Sequence, residues 1–147
     1  MRKLFIYYSF SGNGDVVAES LKEQGFEIRK VESKLKLKKS LFLQIMKGGF
    51  LAGIGAKPKL INYDNNVDGY DEIYIGSPIW NGRLACPVNT VLRDTNLKNQ
   101  KVTFVLYSGS GTAKQADKKI NKLYPDARII HLQQPKDKEG EVNKLYE

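Results

Sequence analysis

Four short apolar runs punctuate the chain: KLFIYY (residues 3–8), EIYIG (72–76), KVTFVLY (101–107) and ARIIHL (127–132). The first is continuously apolar and aromatic, as in strands buried on both faces of a sheet. A fifth run, FEIRKVE (26–32), alternates in the manner of a half-covered strand. Between them lie segments of helical period. Val16, Val17, Ala18 and Leu21 fall on one side of a helix that Gly25 ends, with Glu19, Lys22 and Glu23 opposite. Pro87 starts a second helix over about 86–93, and TAKQADKKINKLY (112–124) is a third, amphipathic one. Five strand-and-helix units in alternation predict an α/β domain, an open parallel sheet with helices on both faces, filling residues 1–147. Two stretches fit less well. SLFLQIMKGGFLAGIG (40–55) is apolar on almost every face and interrupted by Gly48 and Gly49, while the segment after the last strand has room for barely two helical turns. One sheet face is therefore expected to be partly bare.

A chain of 147 residues can bury a sizeable core without disulfides or metals, and its 41% apolar and 27% charged composition is that of a soluble domain. No stretch approaches the ~20 apolar residues of a membrane span. The basic then apolar N-terminus is read as a first strand of a cytoplasmic protein, since its apolar part is too short for a signal peptide. One cysteine, Cys86, and one histidine, His131, make a Cys- or His-based metal centre and triad hydrolysis poor expectations. Cys86 reads as a small buried residue, and His131 as a structural one.

Ligands of open parallel sheets bind outside the carboxyl ends of the strands. Three strands here are followed by Gly- and Ser-rich loops. After the first come Ser9, Phe10, Ser11, Gly12, Asn13, Gly14 and Asp15. Glycines allow backbone amides to turn inward, hydroxyls and Asn13 add neutral donors, and the next helix contributes a partial positive charge at its N-terminus. Such a loop suits a phosphate dianion with no basic residue in it. It is neither a Walker motif nor the G-x-G-x-x-G spacing, and a plain turn before a capped helix is the alternative. The second loop, residues 76–83, carries Ser77, Pro78, Ile79, Asn81 and Gly82, with the chain's single tryptophan, Trp80, among turn residues where packing is not expected to bury it. The third is Ser108, Gly109, Ser110 and Gly111.

With YYSFSGNGDVVAESL, YDEIYIGSPIWNGRLACPVNTVL and VTFVLYSGSGTA in place, the chain resembles a short-chain flavodoxin over nearly its whole length. The resemblance implies a three-layer flavodoxin-like sandwich, a five-stranded parallel sheet of order 2-1-3-4-5, and noncovalent FMN at its carboxyl edge. It implies that Ser9, Ser11, Gly12, Asn13 and Gly14 surround the phosphate, with Phe10 offering its backbone amide. Pro78, Ile79, Trp80, Asn81 and Gly82 would border the isoalloxazine ring, and Ser108, Gly109, Ser110 and Gly111 would meet its pyrimidine edge. The family usually carries Thr or Ser where this chain has Gly14, so Gly14→Thr is expected to tighten FMN binding. No aromatic stands in the third loop, so Trp80 is expected to stack alone and leave one ring face open.

The implied function is an electron carrier between redox partner proteins. The alternatives are an FMN-dependent NAD(P)H:quinone-type reductase working on the open ring face, and a flavin-free interaction module of the same fold. Charge adds one expectation about partners. Arg29, Lys30, Lys34, Lys36, Lys38, Lys39, Lys47, Lys57 and Lys59 against Glu32 put the whole formal charge of +8 into residues 29–59, and the remaining bases and acids cancel. A neutral body with one basic segment argues against a nucleic-acid partner and for an acidic redox partner meeting that segment. An anionic membrane surface would suit the same lysines; a buried second helix with solvated lysines at its ends is the simpler reading. The basic charge also predicts a less reducing flavin than in acidic carriers, and the short C-terminus a monomer or weak homodimer.

Overall fold

The computed structural model describes residues 1–33 and 57–147. The apolar run at 40–55 and lysines 34–47 of the basic segment lie outside them. Eight strands are described: β1 (Lys3–Tyr7), β2 (Glu27–Lys30), β3 (Glu32–Ser33), β4 (Leu60–Ile61), β5 (Glu72–Trp80), β6 (Arg83–Leu84), β7 (Lys101–Ser108) and β8 (Arg128–Gln133). The α-helices are α1 (Asn13–Glu23), α2 (Cys86–Asp94) and α3 (Lys114–Leu123), and a 3-10 helix covers Glu141–Tyr146. The main sheet runs β2-β1-β5-β7-β8 with every neighbouring pair parallel. Numbered among themselves, those five strands have the order 2-1-3-4-5.

The continuity of the apolar runs explains why both faces are covered. Along β7, Val102, Phe104 and Leu106 join the cluster that holds Val88 and Val91 of α2 and Ala116 and Ile120 of α3. Val105 and Tyr107, on the opposite face, pack with Val17, Ala18 and Leu21 of α1. Leu4, Phe5 and Ile6 of β1 are each fully buried. Removing such side chains from water contributes about 1.5–3 kcal/mol each, which fixes the register of the central strands. Helix α1 closes at Gly25, whose φ of 88° permits Gly25 and Phe26 to donate amides back to the carbonyls of Lys22 and Leu21.

The partly bare face is not found among the described residues. The 3-10 helix packs beside β8 and α1, buries Leu145 against the cluster of Phe5, Val17 and Leu132, and joins Tyr146 to Ser20 by a 2.5 Å hydrogen bond. Two short 3-10 turns suffice because only Leu145, with Val142 partly buried beside it, has to reach the core.

The larger departure is at 76–83, expected as a loop. The third parallel strand continues through it as β5 to Trp80, turns at Asn81 and Gly82, and returns antiparallel as β6, pairing Ile79 with Leu84 and Trp80 with Arg83. Asn81 and Gly82 have φ of 52° and 77°, the pair of positive values that a two-residue hairpin with the native twist demands. An Asn-Gly pair between Ile79-Trp80 and Arg83-Leu84 is the local signal for this turn. It was overshadowed by the surrounding Gly, Ser and Pro, which read as loop. Ser77, fully buried, secures the hairpin by accepting the Ala85 amide at 3.0 Å and donating to the Pro78 carbonyl at 2.7 Å.

Candidate functional site

Strand order reverses between β1 and β5, so the carboxyl ends of β1, β5 and β7 lie side by side at the place where such sheets open a crevice. The segments leaving those three ends are the loop 8–12, the β5–β6 hairpin and the loop 109–113.

The first loop is organised around one hydroxyl. Ser9 Oγ accepts the amides of Gly12 at 3.2 Å and Gly14 at 3.1 Å, which folds the chain back on itself before α1. Gly12 sits at φ 101°, a conformation open to glycine, and Val16 donates to its carbonyl at 3.2 Å. Gly14 is buried for a different reason. A Cβ placed on it would stand 2.5 Å from the Tyr107 hydroxyl, 2.8 Å from the Tyr7 ring and 2.9 Å from Ser9 Cβ. The Tyr107 hydroxyl cannot yield easily, because it donates to the Tyr8 carbonyl from a buried position in the sheet. The expectation that Gly14→Thr would tighten binding is therefore overturned: the position lacks a hydroxyl because it has no room for any side chain.

Electrostatics of the loop are set by residues from neighbouring elements. Asp15 in the first turn of α1 accepts from the Tyr7 hydroxyl at 2.7 Å and pairs with Lys30 of β2 at 2.9 Å. Partial burial opposes its ionisation, but the hydrogen bonds from Lys30 and Tyr7 outweigh that cost and hold its carboxyl below the usual carboxylate range. Burial, reinforced by Asp15, pushes the Tyr7 hydroxyl well above the ordinary tyrosine value. Tyr107, buried, is shifted the same way. Both phenols stay protonated donors.

A cation that sequence reasoning missed lies on this loop. Lys136 donates its backbone amide to Asn13 Oδ1 and its Nζ to the Ser11 carbonyl, both at 3.0 Å. Nothing local in PKDKEG marks it, since its placement depends on β8 ending beside β7.

The hairpin and the third loop border an open cavity of about 410 Å³. Ile79, Asn81 and Gly82 line it from the hairpin, Ser108, Gly109 and Ser110 from the third loop, and Thr112, Ala113, Lys114 and Gln115 complete the lining. Ser108 Oγ accepts the Gly111 amide at 2.9 Å, and Gly111 has φ 76°. The Gly82 carbonyl accepts the Ala116 amide at 3.0 Å, which gives a partner to one open donor in the first turn of α3 and ties the hairpin to it. Of the residues expected at the site, Ile79, Asn81, Gly82 and Ser108–Ser110 thus meet in one cavity. Ser9 and residues 11–14 form the neighbouring cradle, and Phe10 is 38% exposed beside it.

Trp80 is placed otherwise than expected. It is 1% exposed, in the same cluster as Leu84 and Cys86, with its indole edge-on to Tyr8 at 5.9 Å between centroids. The physical reason is the hairpin: pairing β5 with β6 turns what reads as loop into sheet, and the strand carries the indole into the core. Cys86 is fully buried and its thiol is pushed up by desolvation. His131 lies in β8 with Nε2 2.9 Å from Asp117 of α3.

A doubly covered parallel sheet of this order, with a hydroxyl-centred loop leading into the first helix and a cavity at the adjacent strand ends, defines a flavodoxin-like protein. The family model for flavodoxin matches residues 46–142, and the chain belongs to the flavodoxin family. No curated protein matches it. Among solved structures, a flavoprotein of Lactobacillus acidophilus NCFM in complex with FMN is 26% identical, with a TM-score of 0.66 over 88% of this chain and 89% of that one. A Bacteroides eggerthii protein classed as a flavoprotein reaches a TM-score of 0.80 at 20% identity, over 99% of this chain and 94% of its own, a likeness of fold. No helix among the described residues is long and apolar enough to cross a membrane.

Proposed function

We propose that this chain binds FMN at the carboxyl edge of its sheet and carries electrons between redox partner proteins. The observation that carries the reading is the pairing of the Ser9-centred loop with the cavity between Ile79–Gly82 and Ser108–Ser110, on adjacent strand ends. The donor set fits the group. Neutral hydroxyls, an inward-folded glycine loop and the start of α1 suit a phosphate monoester, and Lys30 with Tyr7 answers the Asp15 charge that would otherwise oppose it. A cavity of about 410 Å³ falls within the usual range for cofactor sites, about 300–1,000 Å³.

When bound, FMN supplies the redox chemistry. The chain's own residues bind and orient. Ser9 holds the loop in one shape, Tyr107 pins the Tyr8 carbonyl, and the hairpin and third loop form two walls. Of the basic segment's described members, Arg29 is held by the carbonyls of Asp64 and Asn66 and Lys30 by Asp15, while Lys57 and Lys59 are exposed. An acidic partner would meet those two lysines and the part of the segment outside the described residues.

One observation favours a second reading. With Trp80 in the core and no aromatic in the third loop, the cavity is walled, Ile79 aside, by small and polar residues, which suits access of a small acceptor such as a quinone in an FMN-dependent NAD(P)H reductase. A titration of the purified protein with FMN, followed by potentiometry and assay with NAD(P)H, separates the readings. Tight binding with two resolved one-electron steps supports the carrier, and direct NAD(P)H turnover supports the reductase. Absence of flavin binding overturns both and leaves the interaction module.

A further inference from the structure

The first loop contains no lysine or arginine, yet a cation is built onto it from 123 and 125 residues away in the chain: Lys136 is held to Asn13 and Ser11 at both ends. Its stem runs over Gly12, with Cδ 3.5 Å from where a Cβ on Gly12 would stand. The turn that delivers it is anchored on the third loop. Gln134 donates its amide to the Ser108 carbonyl at 3.0 Å, Gln133 Nε2 donates to the Gly109 carbonyl at 3.1 Å, and Asp137 and Lys138 close the turn on the Gln134 carbonyl. Gln134 adopts φ 43°, so the turn keeps a costly backbone geometry for a non-glycine residue. Among the described residues Lys136 has no carboxylate within ion-pair distance: Asp15 is taken by Lys30, and Glu141 by Lys144. A lysine fixed at both ends, on a loop of neutral donors and without a counter-charge, is arranged for an anion from outside the chain.

We propose that Lys136 is the cation that selects a phosphate monoester at this loop, and that residues 133–138 are the strap that brings it there. The identity of the ligand rests on the FMN reading above; the preference for an anion rests on the Lys136 geometry. Charge-assisted contacts are roughly twice as strong as neutral ones, and an ammonium on the exposed rim of the loop raises affinity for a dianion while leaving an uncharged analogue untouched. Lys136 therefore discriminates FMN from riboflavin, and its effect is screened by salt.

The test compares FMN, riboflavin and inorganic phosphate binding to the wild type, Lys136→Met and Lys136→Arg over a range of ionic strength, with thermal unfolding as the check on folding. The expected result is an FMN affinity lowered about tenfold or more in Lys136→Met, with a flatter salt dependence and unchanged riboflavin affinity. Lys136→Arg keeps the preference. Equal losses for FMN and riboflavin, an FMN loss with the salt slope intact, or no loss overturn the assignment and leave Lys136 at most a tether of the loop. If the wild type binds no FMN but binds inorganic phosphate, and Lys136→Met abolishes that binding, the FMN reading falls and the anion site stands. If the wild type binds neither, both fall.

Discussion

The loop after β1 and the hairpin after β5 are made from the same residues, Gly, Ser and Asn, and they use them for opposite purposes. In the first, glycine makes room: Gly14 has Tyr107, Tyr7 and Ser9 where its side chain would be, and Ser9 closes the turn with two hydrogen bonds. In the second, glycine and asparagine supply backbone conformation at Asn81 and Gly82, and the tight turn frees the flanking residues to continue the sheet. One is a hydroxyl-centred loop at the sheet's carboxyl edge; the other is a piece of the core that lends only its tip and Ile79 to the cavity. A Gly-rich stretch at a strand end is therefore not by itself a binding loop, and what surrounds each glycine decides.

The contrast breaks most readily at Trp80. A buried indole makes Trp80→Ala cost about 3–5 kcal/mol of stability in chemical denaturation, where an exposed stacking residue would leave stability nearly unchanged and lower only FMN affinity. The next effect is at Gly14. Gly14→Thr should destabilise the protein by about 1–3 kcal/mol through overpacking against Tyr107 and Tyr7, and weaken FMN binding. Unchanged stability with tighter binding would return Gly14 to the role of a missing hydroxyl. The smallest effect sharpens the electrostatic side of the cradle. Asp15 has its carboxyl held below the usual range in the folded protein, so its contribution is present above the unfolded value of about 4 and fades as pH falls through the lower folded value. Because Asp15 and Lys30 are 46% and 44% exposed, solvent screening limits that contribution to about 0.5–1 kcal/mol or less. Asp15→Asn should lose that much at neutral pH and show a shallower decline in stability between about pH 5 and pH 2.

Much of the fold was legible because continuous apolar strands leave few alternatives. KLFIYY, EIYIG and KVTFVLY need cover on both faces, and the intervening helical periods supply it, so the doubly covered parallel sheet follows from pattern alone. The tight turn that joins Ser9 to Gly12 and Gly14 was legible because strand, small loop and helix are consecutive in the chain. The hairpin was misread because its Asn-Gly turn was embedded in other turn-forming residues. Burial of Trp80 depends on a two-residue strand, β6, too short to carry a pattern of its own.

Local pattern, then, determined which segments become strands and helices, where the strands end, and that three of those ends carry small polar residues, because each of these depends on neighbours in the chain. Only tertiary packing decided that Gly14 must stay glycine, that Trp80 turns into the core, and that Lys136 lies on the first loop. Those outcomes depend on Tyr107, on the pairing of β6 with the end of β5, and on the end of β8; Tyr107 and Lys136 in particular reach the first loop only through the sheet.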